Sequence, residues 1–213
     1  MLDKSVDYKS IIMKMEYSKI QDIAMPKLPG GYSLRLFEKG DEDHWARVEA
    51  SVLEFDSPNS AKDYFEKEYM PDLDELYKRC WFVLNPEGMP IATANSWFAN
   101  SGLGHKALLD WVAVCPDYQG LGIGRAVVSQ AVKNFREVEA GNDIWLHTQT
   151  WSHVALKLYH SLGFNLVESE TVARTNSRTG VSKVYKNDFY EAVGVLKKVM
   201  PKDVIEHIIS TSV

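Results

Sequence analysis

The order of periodic segments predicts a mixed α/β fold, a β-sheet with helices packed on both faces. Two apolar runs at 81–84 and 89–97 flank Asn85-Pro86-Glu87-Gly88 and read as a hairpin. A third run, at 107–114, is almost wholly apolar and leads through a glycine-rich turn into an amphipathic segment. The 213 residues are 45% apolar and 25% charged, which suits one domain of ordinary size with a packed core.

The elements follow in order. Residues 1–31 read as an N-terminal arm with a short strand at Ser10–Met15 and a turn-rich break at 26–31. Residues 32–37 alternate as a half-buried strand does, and 41–55 set Trp45, Val48 and Val52 at helical spacing. A second helix follows Ser57-Pro58-Asn59, with Ser60-Ala61-Lys62-Asp63 in the pattern of a capping box. Beyond the hairpin and a loop at 100–105, the 107–114 strand is interrupted only by Asp110. Strand alternation puts Leu108, Asp110 and Val112 on one face and Leu109 and Trp111 on the other. Over 125–136, Val127, Val128, Ala131, Val132 and Phe135 form a helical stripe, with Ser129, Gln130, Lys133 and Asn134 opposite. A strand at 144–150, a helix at 152–162 stopped by Gly163, and strands at 164–170 and 181–185 complete a domain spanning 32–187. Residues 188–213 form a helical C-terminal extension, two short helices broken at Pro201.

Acidic residues (29) outnumber Lys plus Arg (24), a net charge of −5, so no basic face is expected for nucleic acid. No apolar run reaches the eighteen or so residues of a membrane span, and Met1-Leu2-Asp3-Lys4-Ser5 does not open a signal peptide. The expectation is a cytoplasmic protein. Cys80 and Cys115 lie far apart in no metal or redox spacing. His153 and His160 share a helix face but lack a third ligand at fitting spacing, so no metal is expected.

The stretch that carries chemistry is Val112-Ala113-Val114-Cys115-Pro116-Asp117-Tyr118-Gln119-Gly120-Leu121-Gly122-Ile123-Gly124-Arg125. A buried strand ends at a proline, and three alternate glycines open a helix. The free N–H groups and positive dipole end of a helix attract an anion, and missing side chains let a phosphate approach the backbone. A dinucleotide fingerprint needs a glycine where Arg125 stands, and the Gly-Lys-Ser/Thr of a P-loop is absent. A pyrophosphate site of another type remains.

Gln119-Gly120-Leu121-Gly122-Ile123-Gly124 resembles the Gln/Arg-x-x-Gly-x-Gly/Ala signature of the GNAT superfamily of N-acetyltransferases, with its Val-x-Pro lead-in at Val114-Cys115-Pro116. Ala155-Leu156-Lys157-Leu158-Tyr159-His160-Ser161-Leu162-Gly163-Phe164 is similar to that family's Ala-x-x-Leu-Tyr-x-x-x-Gly-Phe motif. The resemblance spans roughly residues 32–170. It implies a GNAT-type splayed sheet and acetyl-coenzyme A as cosubstrate, bound without a metal. Its pyrophosphate would lie on Gln119, Gly120, Leu121, Gly122, Ile123, Gly124 and Arg125. Its pantetheine would run along the main chain of Val112, Ala113 and Val114, where the 107–114 and 144–150 strands splay. Ser152 and Ala155 complete the implied cosubstrate contacts, Ser152 standing where many members carry Asn.

The resemblance further implies direct attack of an amine on the thioester in a ternary complex, with Tyr159 at the general-acid position. A phenol near pKa ~10 does not fully protonate a thiolate near ~8.5, so a hydrogen bond to the leaving sulfur is the better description. Asp110 would face the acceptor. Deprotonating an amine of pKa ~10.4 at pH 7 costs roughly 4–5 kcal/mol, so Asp110 is a weak base or a binder of the ammonium, or else a structural carboxylate. His147 is a spare proton carrier in this reading. Phe55, Tyr64, Phe65, Trp97 and Trp111 line the acceptor pocket or pack the core, and Glu54 and Asp56 attract a cation or end a helix. The expected activity is acetyl transfer to a primary amine of a small molecule or peptide. The alternatives are another acyl-coenzyme A, or a non-catalytic acyl-coenzyme A-binding module. A homodimer is left open.

Overall fold

The computed structural model describes residues 2–176 and 178–213. Strands are β1 (Ser10–Met15), β2 (Ser33–Leu36), β3 (Cys80–Leu84), β4 (Pro90–Ser101), β5 (Gly104–Val114), β6 (Ile144–Gln149), β7 (Asn165–Leu166), β8 (Val172–Thr175) and β9 (Ser182–Tyr185). Helices are α1 (Glu42–Ser51), α2 (Pro58–Glu68), α3 (Leu73–Arg79), α4 (Ile123–Val138), α5 (His153–Ser161), α6 (Phe189–Val199) and α7 (Lys202–Ser210). Seven strands form one mixed sheet in the order β2-β3-β4-β5-β6-β1-β7, and β8 and β9 form a separate ribbon. The parallel ladder of β5 with β6 consists of Ala107↔Ile144 and Leu108↔Trp145. The expected mixed α/β fold is therefore present. The chain divides into two compact units, residues 22–97 with 109–140, and residues 2–21, 98–108 and 141–213.

In the first unit the β3–β4 hairpin closes as its turn residues dictate. The Asn85 N–H donates to the Met89 carbonyl at 2.9 Å, the Asn85 side chain accepts the Met89 N–H at 2.8 Å, and Gly88 takes the left-handed φ of +81°. The cap of α2 lies three residues before the expected one. Ser57 is the N-cap and Ser60 is its N3 partner, because Pro58 supplies the fixed φ of a first helical residue. Helix α3 was not foreseen. It buries only Leu76 and Arg79, too few apolar residues to register as a stripe. Arg79 anchors it, donating to Glu139 at 2.9 Å, to Glu75 at 2.5 Å and to the Ser96 carbonyl at 3.1 Å. The α4 stripe Val127, Val128, Ala131, Val132 and Phe135 is buried as expected, but Ser129, assigned to the outer face, is buried as well.

The second unit builds around β1, which pairs antiparallel with β6 over Ser10–Met15 and with β7 at Met13 and Lys14. Ile11, Ile12 and Met13 are all buried, so this strand is covered on both faces although it lies within the stretch read as an arm. Ile12, Ala99, Leu108, Trp145, Val167 and Val172 form one apolar cluster with Tyr185 against it. The strand expected over 164–170 is two residues long, and β8 takes up Val172–Thr175 to pair with β9. Helices α6 and α7 break at Pro201 as the sequence implies. The C-terminus is tied down, Val213 donating to the Leu166 carbonyl and accepting from the Glu168 N–H, both at 2.9 Å.

His147 is a half-buried member of this unit. The Ser10 hydroxyl gives its proton to the Lys186 carbonyl at 2.6 Å, so His147 Nε2–H is the donor in its 2.7 Å contact with Ser10. Burial, with Lys183 adding positive charge, pushes the imidazole down to about 4 from 6.5. The unfolded chain then takes up this proton at a higher pH than the native one. Stability from the neutral ring is complete above pH ~6.5 and is lost as pH falls through that value toward ~4. At 1.36 kcal/mol per unit this amounts to about 3 kcal/mol. Denaturant titrations at pH 7 and pH 4.5 should show the wild type losing about 2–3 kcal/mol more than His147→Gln. Equal losses would mean that His147 is not held neutral.

Candidate active site

The turn from β5 into α4 is built by the backbone. The Cys115 N–H donates to the Ile91 carbonyl at 2.9 Å, and a 3₁₀ turn follows at Pro116–Tyr118. Tyr118 is fixed by the Asn85 side chain, whose Nδ2 donates to its hydroxyl at 3.1 Å. Gly120 and Gly122 adopt φ of +79° and +80°, and Gly122 is the N-cap of α4 without any side-chain cap. A helix start has N–H groups with no intrahelical acceptor. Here they open onto exposed backbone at Gly120, Leu121 and Gly122, while Ile123 is buried as the anchor. Gln119 is exposed, and its amide donates to the Val114 carbonyl at 2.9 Å, bracing the turn from below. Gly124 lies in the first turn of α4 and Arg125 is exposed beside it. Val112 and Val114 are half-buried on β5 with Ala113 buried between them.

Asp110 lies on the same strand, half-buried, and accepts the Tyr69 hydroxyl at 2.5 Å. Simple alternation fails immediately after it. Trp111 has a φ of 48°, which interrupts the period of two, and Asp110, Trp111 and Val112 are all half-buried in succession. Rings gather beside this kink. Trp45 of α1 lies 4.8 Å from Phe65, 5.3 Å from Trp111 and 5.9 Å from Phe55, centroid to centroid, and Tyr69 lies 4.8 Å from Trp97. Trp45, Phe65, Tyr69 and Trp97 are core, whereas Phe55, Tyr64 and Trp111 are half-buried.

Glu49 belongs to the same face and was missed. It follows Trp45 by one helical turn, so the Trp45, Val48, Val52 spacing already placed it inward. Its side chain is 1% exposed, and both carboxyl oxygens lack a hydrogen-bond partner. Burial, with Glu54 and Asp110 adding negative charge, raises its carboxyl well above the usual carboxylate range. Tyr69 was missed too, because only the tertiary contact reveals its bond to Asp110. Glu54 and Asp56 are exposed. Buried Cys115 is near the Arg47 guanidinium (3.7 Å) and the Ser51 hydroxyl (3.6 Å).

In the second unit, Tyr159 is 7% exposed on α5, with its ring 6.2 Å from Phe164. Ala155 is half-buried one turn earlier on the same helix. Ser152 is the N-cap of α5 but makes no side-chain cap bond. His160, read as helix surface, is half-buried between Thr211, bonded at 2.9 Å, and the His207 ring at 5.0 Å. Among the described residues no group of three or more His, Cys, Asp or Glu is placed to hold a metal ion, and no helix is long and apolar enough to cross a membrane.

Residues 45–164 match the model of the acetyltransferase (GNAT) family. A mycothiol acetyltransferase of Streptomyces avermitilis is 27% identical over 166 residues, covering 73% of this chain and 50% of its own. One from Kocuria rhizophila is 28% identical over 167 residues, covering 71% and 52%. The chain thus spans about half the length of these curated relatives. A GCN5-related N-acetyltransferase from Sphaerobacter thermophilus has the same fold, with a TM-score of 0.57 at 18% identity over 76% of this chain and 49% of that one. A GNAT-family acetyltransferase from Colwellia psychrerythraea gives 0.56 at 12% identity over 75% and 54%.

The left-handed turn makes a prediction independent of any ligand. A Cβ at Gly122 would meet no atom within 4 Å, so Gly122→Ala tests φ alone. It should cost about 1–2 kcal/mol and lower the melting temperature by about 2–8 °C. Gly194, exposed within α6 and equally open, should instead gain about 0.5–1 kcal/mol on substitution by Ala. Equal effects at the two positions in calorimetry would refute the backbone argument.

Proposed function

Because the chain belongs to the GNAT acetyltransferase family, we propose that it moves the acetyl group of acetyl-coenzyme A onto a primary amine in a ternary complex. The observation that carries this reading is the uncapped start of α4, reached from β5 through two left-handed glycines. The coenzyme A pyrophosphate takes the N–H groups at 120–124, with Arg125 adding a cation. The main chain at 112–114 hydrogen-bonds the pantetheine amides in the manner of an added strand. The similarity to mycothiol acetyltransferases supports an acetyl transfer, and the resemblance of the two motifs supports the cosubstrate.

In the proposed reaction the amine nitrogen attacks the thioester carbonyl, the C–S bond breaks, and an amide and coenzyme A thiol leave. Asp110, oriented by the Tyr69 hydroxyl, holds the incoming ammonium and receives or relays its proton. Tyr159 donates a hydrogen bond to the sulfur as it gains charge.

Acetyl-coenzyme A and coenzyme A at a hundredfold excess over Kd should each add about 2.7 kcal/mol and raise Tm by roughly 5–10 °C, while NAD should not. Protection by NAD and not by coenzyme A would overturn the donor site. Tyr159→Phe should lower turnover by about 10²–10³ with coenzyme A binding retained. Asp110→Asn should keep donor protection and reduce turnover if Asp110 is the base, or raise the amine KM if it binds the ammonium. Thiol release that never exceeds the amine-free rate across a panel of amines would leave an acyl-coenzyme A-binding module instead.

A further inference from the structure

Glu49 is used by neither the fold nor the transfer chemistry above, yet it is buried on α1 one helical turn from Trp45. Its two carboxyl oxygens and the Trp45 indole N–H, one turn away on α1, are buried without hydrogen-bond partners. Buried polar groups in native proteins are normally satisfied, so an unmet donor and acceptor one helical turn apart mark a place that receives a polar guest. No lysine or arginine is placed to neutralise Glu49 among the described residues. Glu54 and Asp110 add further negative charge near it.

The surroundings say what kind of guest fits. Phe55, Tyr64 and Trp111 form a closed triangle with centroid separations of 5.4, 5.2 and 5.1 Å. All three rings are half-buried, so they are reachable from solvent, and beneath them lies the fully buried Trp45 ring. The backbone is held in sparsely populated conformations at the same place. Leu53 (φ 71°) and Trp111 (φ 48°) are the non-glycine residues of positive φ among those described. Leu53 stands two residues before Phe55, and Trp111 is itself a corner of the triangle. Such strain persists where the surroundings enforce it, and it concentrates at working sites. Beside the triangle, Tyr69 fixes Asp110 with its 2.5 Å hydrogen bond.

We propose that the acceptor is a small primary monoamine with an apolar, aromatic body and no carboxylate beside the amine. Its ammonium is held by the Asp110 carboxylate and donates a further hydrogen bond to the Glu49 carboxyl, and its body lies on Phe55, Tyr64 and Trp111. This rests on the acetyl-transfer reading and narrows it. Aromatic faces attract a cation and cover an apolar body. The Asp110 charge repels the carboxylate of an amino acid, so specificity comes from rejection as well as attraction. A diamine satisfies the acids but leaves the rings without an apolar partner. Glu49 is a positioning and specificity residue in this scheme.

The test uses the full chain with acetyl-coenzyme A and three probes: 2-phenylethylamine, phenylalanine, and butane-1,4-diamine. Coenzyme A release gives kcat and KM, and calorimetry gives acetyl-coenzyme A binding separately. The wild type should favour 2-phenylethylamine by at least about tenfold in kcat/KM over each of the others. Glu49→Gln should raise the KM for 2-phenylethylamine about tenfold or more while kcat and acetyl-coenzyme A affinity stay within about threefold. Tyr64→Leu should raise the same KM while leaving that for butane-1,4-diamine in place, which keeps the idea testable if Glu49→Gln fails to fold. Equal or better use of phenylalanine or the diamine would overturn the proposal, as would a Glu49→Gln variant altered in Tm alone. Wild-type enzyme that binds acetyl-coenzyme A but acetylates none of the probes would sink the acceptor class and leave the donor reading standing. Absence of acetyl-coenzyme A binding would remove the transfer reading itself.

Discussion

A strand can hand its chain directly to a helix with the helix start left bare only if the connecting residues tolerate left-handed φ. Gly120 and Gly122 meet that requirement, and the rest of the turn from β5 into α4 follows from it. Because Gly122 caps α4 with no side chain, its first-turn amides are not consumed by a serine or aspartate. Around the turn the structure is braced. Cys115 bonds back to Ile91, Tyr118 to Asn85, and the Gln119 amide to Val114. Rigid supports beneath exposed amides are what a preorganised anion site needs, since the amides then do not reorganise when charge arrives.

The aromatic face of the first unit follows a different logic. Helix α1 turns a carboxyl inward among rings, an arrangement that costs about 1–3 kcal/mol when a buried polar group goes unpaired. Stability elsewhere in the first unit offsets it, through the α4 stripe packed to full burial and the Arg79 cluster that ties α3 to the end of α4. The positive φ at Trp111 belongs to the same economy of strain. It breaks the pleat of β5 beside Asp110, so that consecutive side chains there share an intermediate environment.

The second unit depends on pairing between distant parts of the sequence. β1 runs between β6 and β7, and the terminal Val213 closes on Leu166 and Glu168. Tyr159 therefore sits on a helix whose partners come from both ends of the chain, including α7, where Thr211 and His207 meet His160. Loss of the tail would expose that packing, which makes residues 188–213 part of what positions α5.

What the sequence determined by itself was everything encoded over a few neighbouring residues. The glycine turn, the α4 stripe, the Asn85–Gly88 hairpin and the break at Pro201 are local, because backbone φ, helical period and turn chemistry act within a handful of positions. The mixed sheet followed from the order of those pieces, and so did the family resemblance. The tertiary structure decided the rest. Helix α3 carries too few apolar residues to show a stripe and exists because Arg79 finds Glu139 sixty residues away. The strand at 164–170 shortened because β1, not its own neighbours, supplies its partner. Around β5, Asp110 was legible as a polar intruder, but its fixing by Tyr69, the ring triangle and the kink at Trp111 were not. Glu49 looked like any glutamate on an amphipathic helix. Only the tertiary packing of the first unit withdraws it from water, and the energetic consequence of a buried carboxyl belongs to that environment and not to the residue.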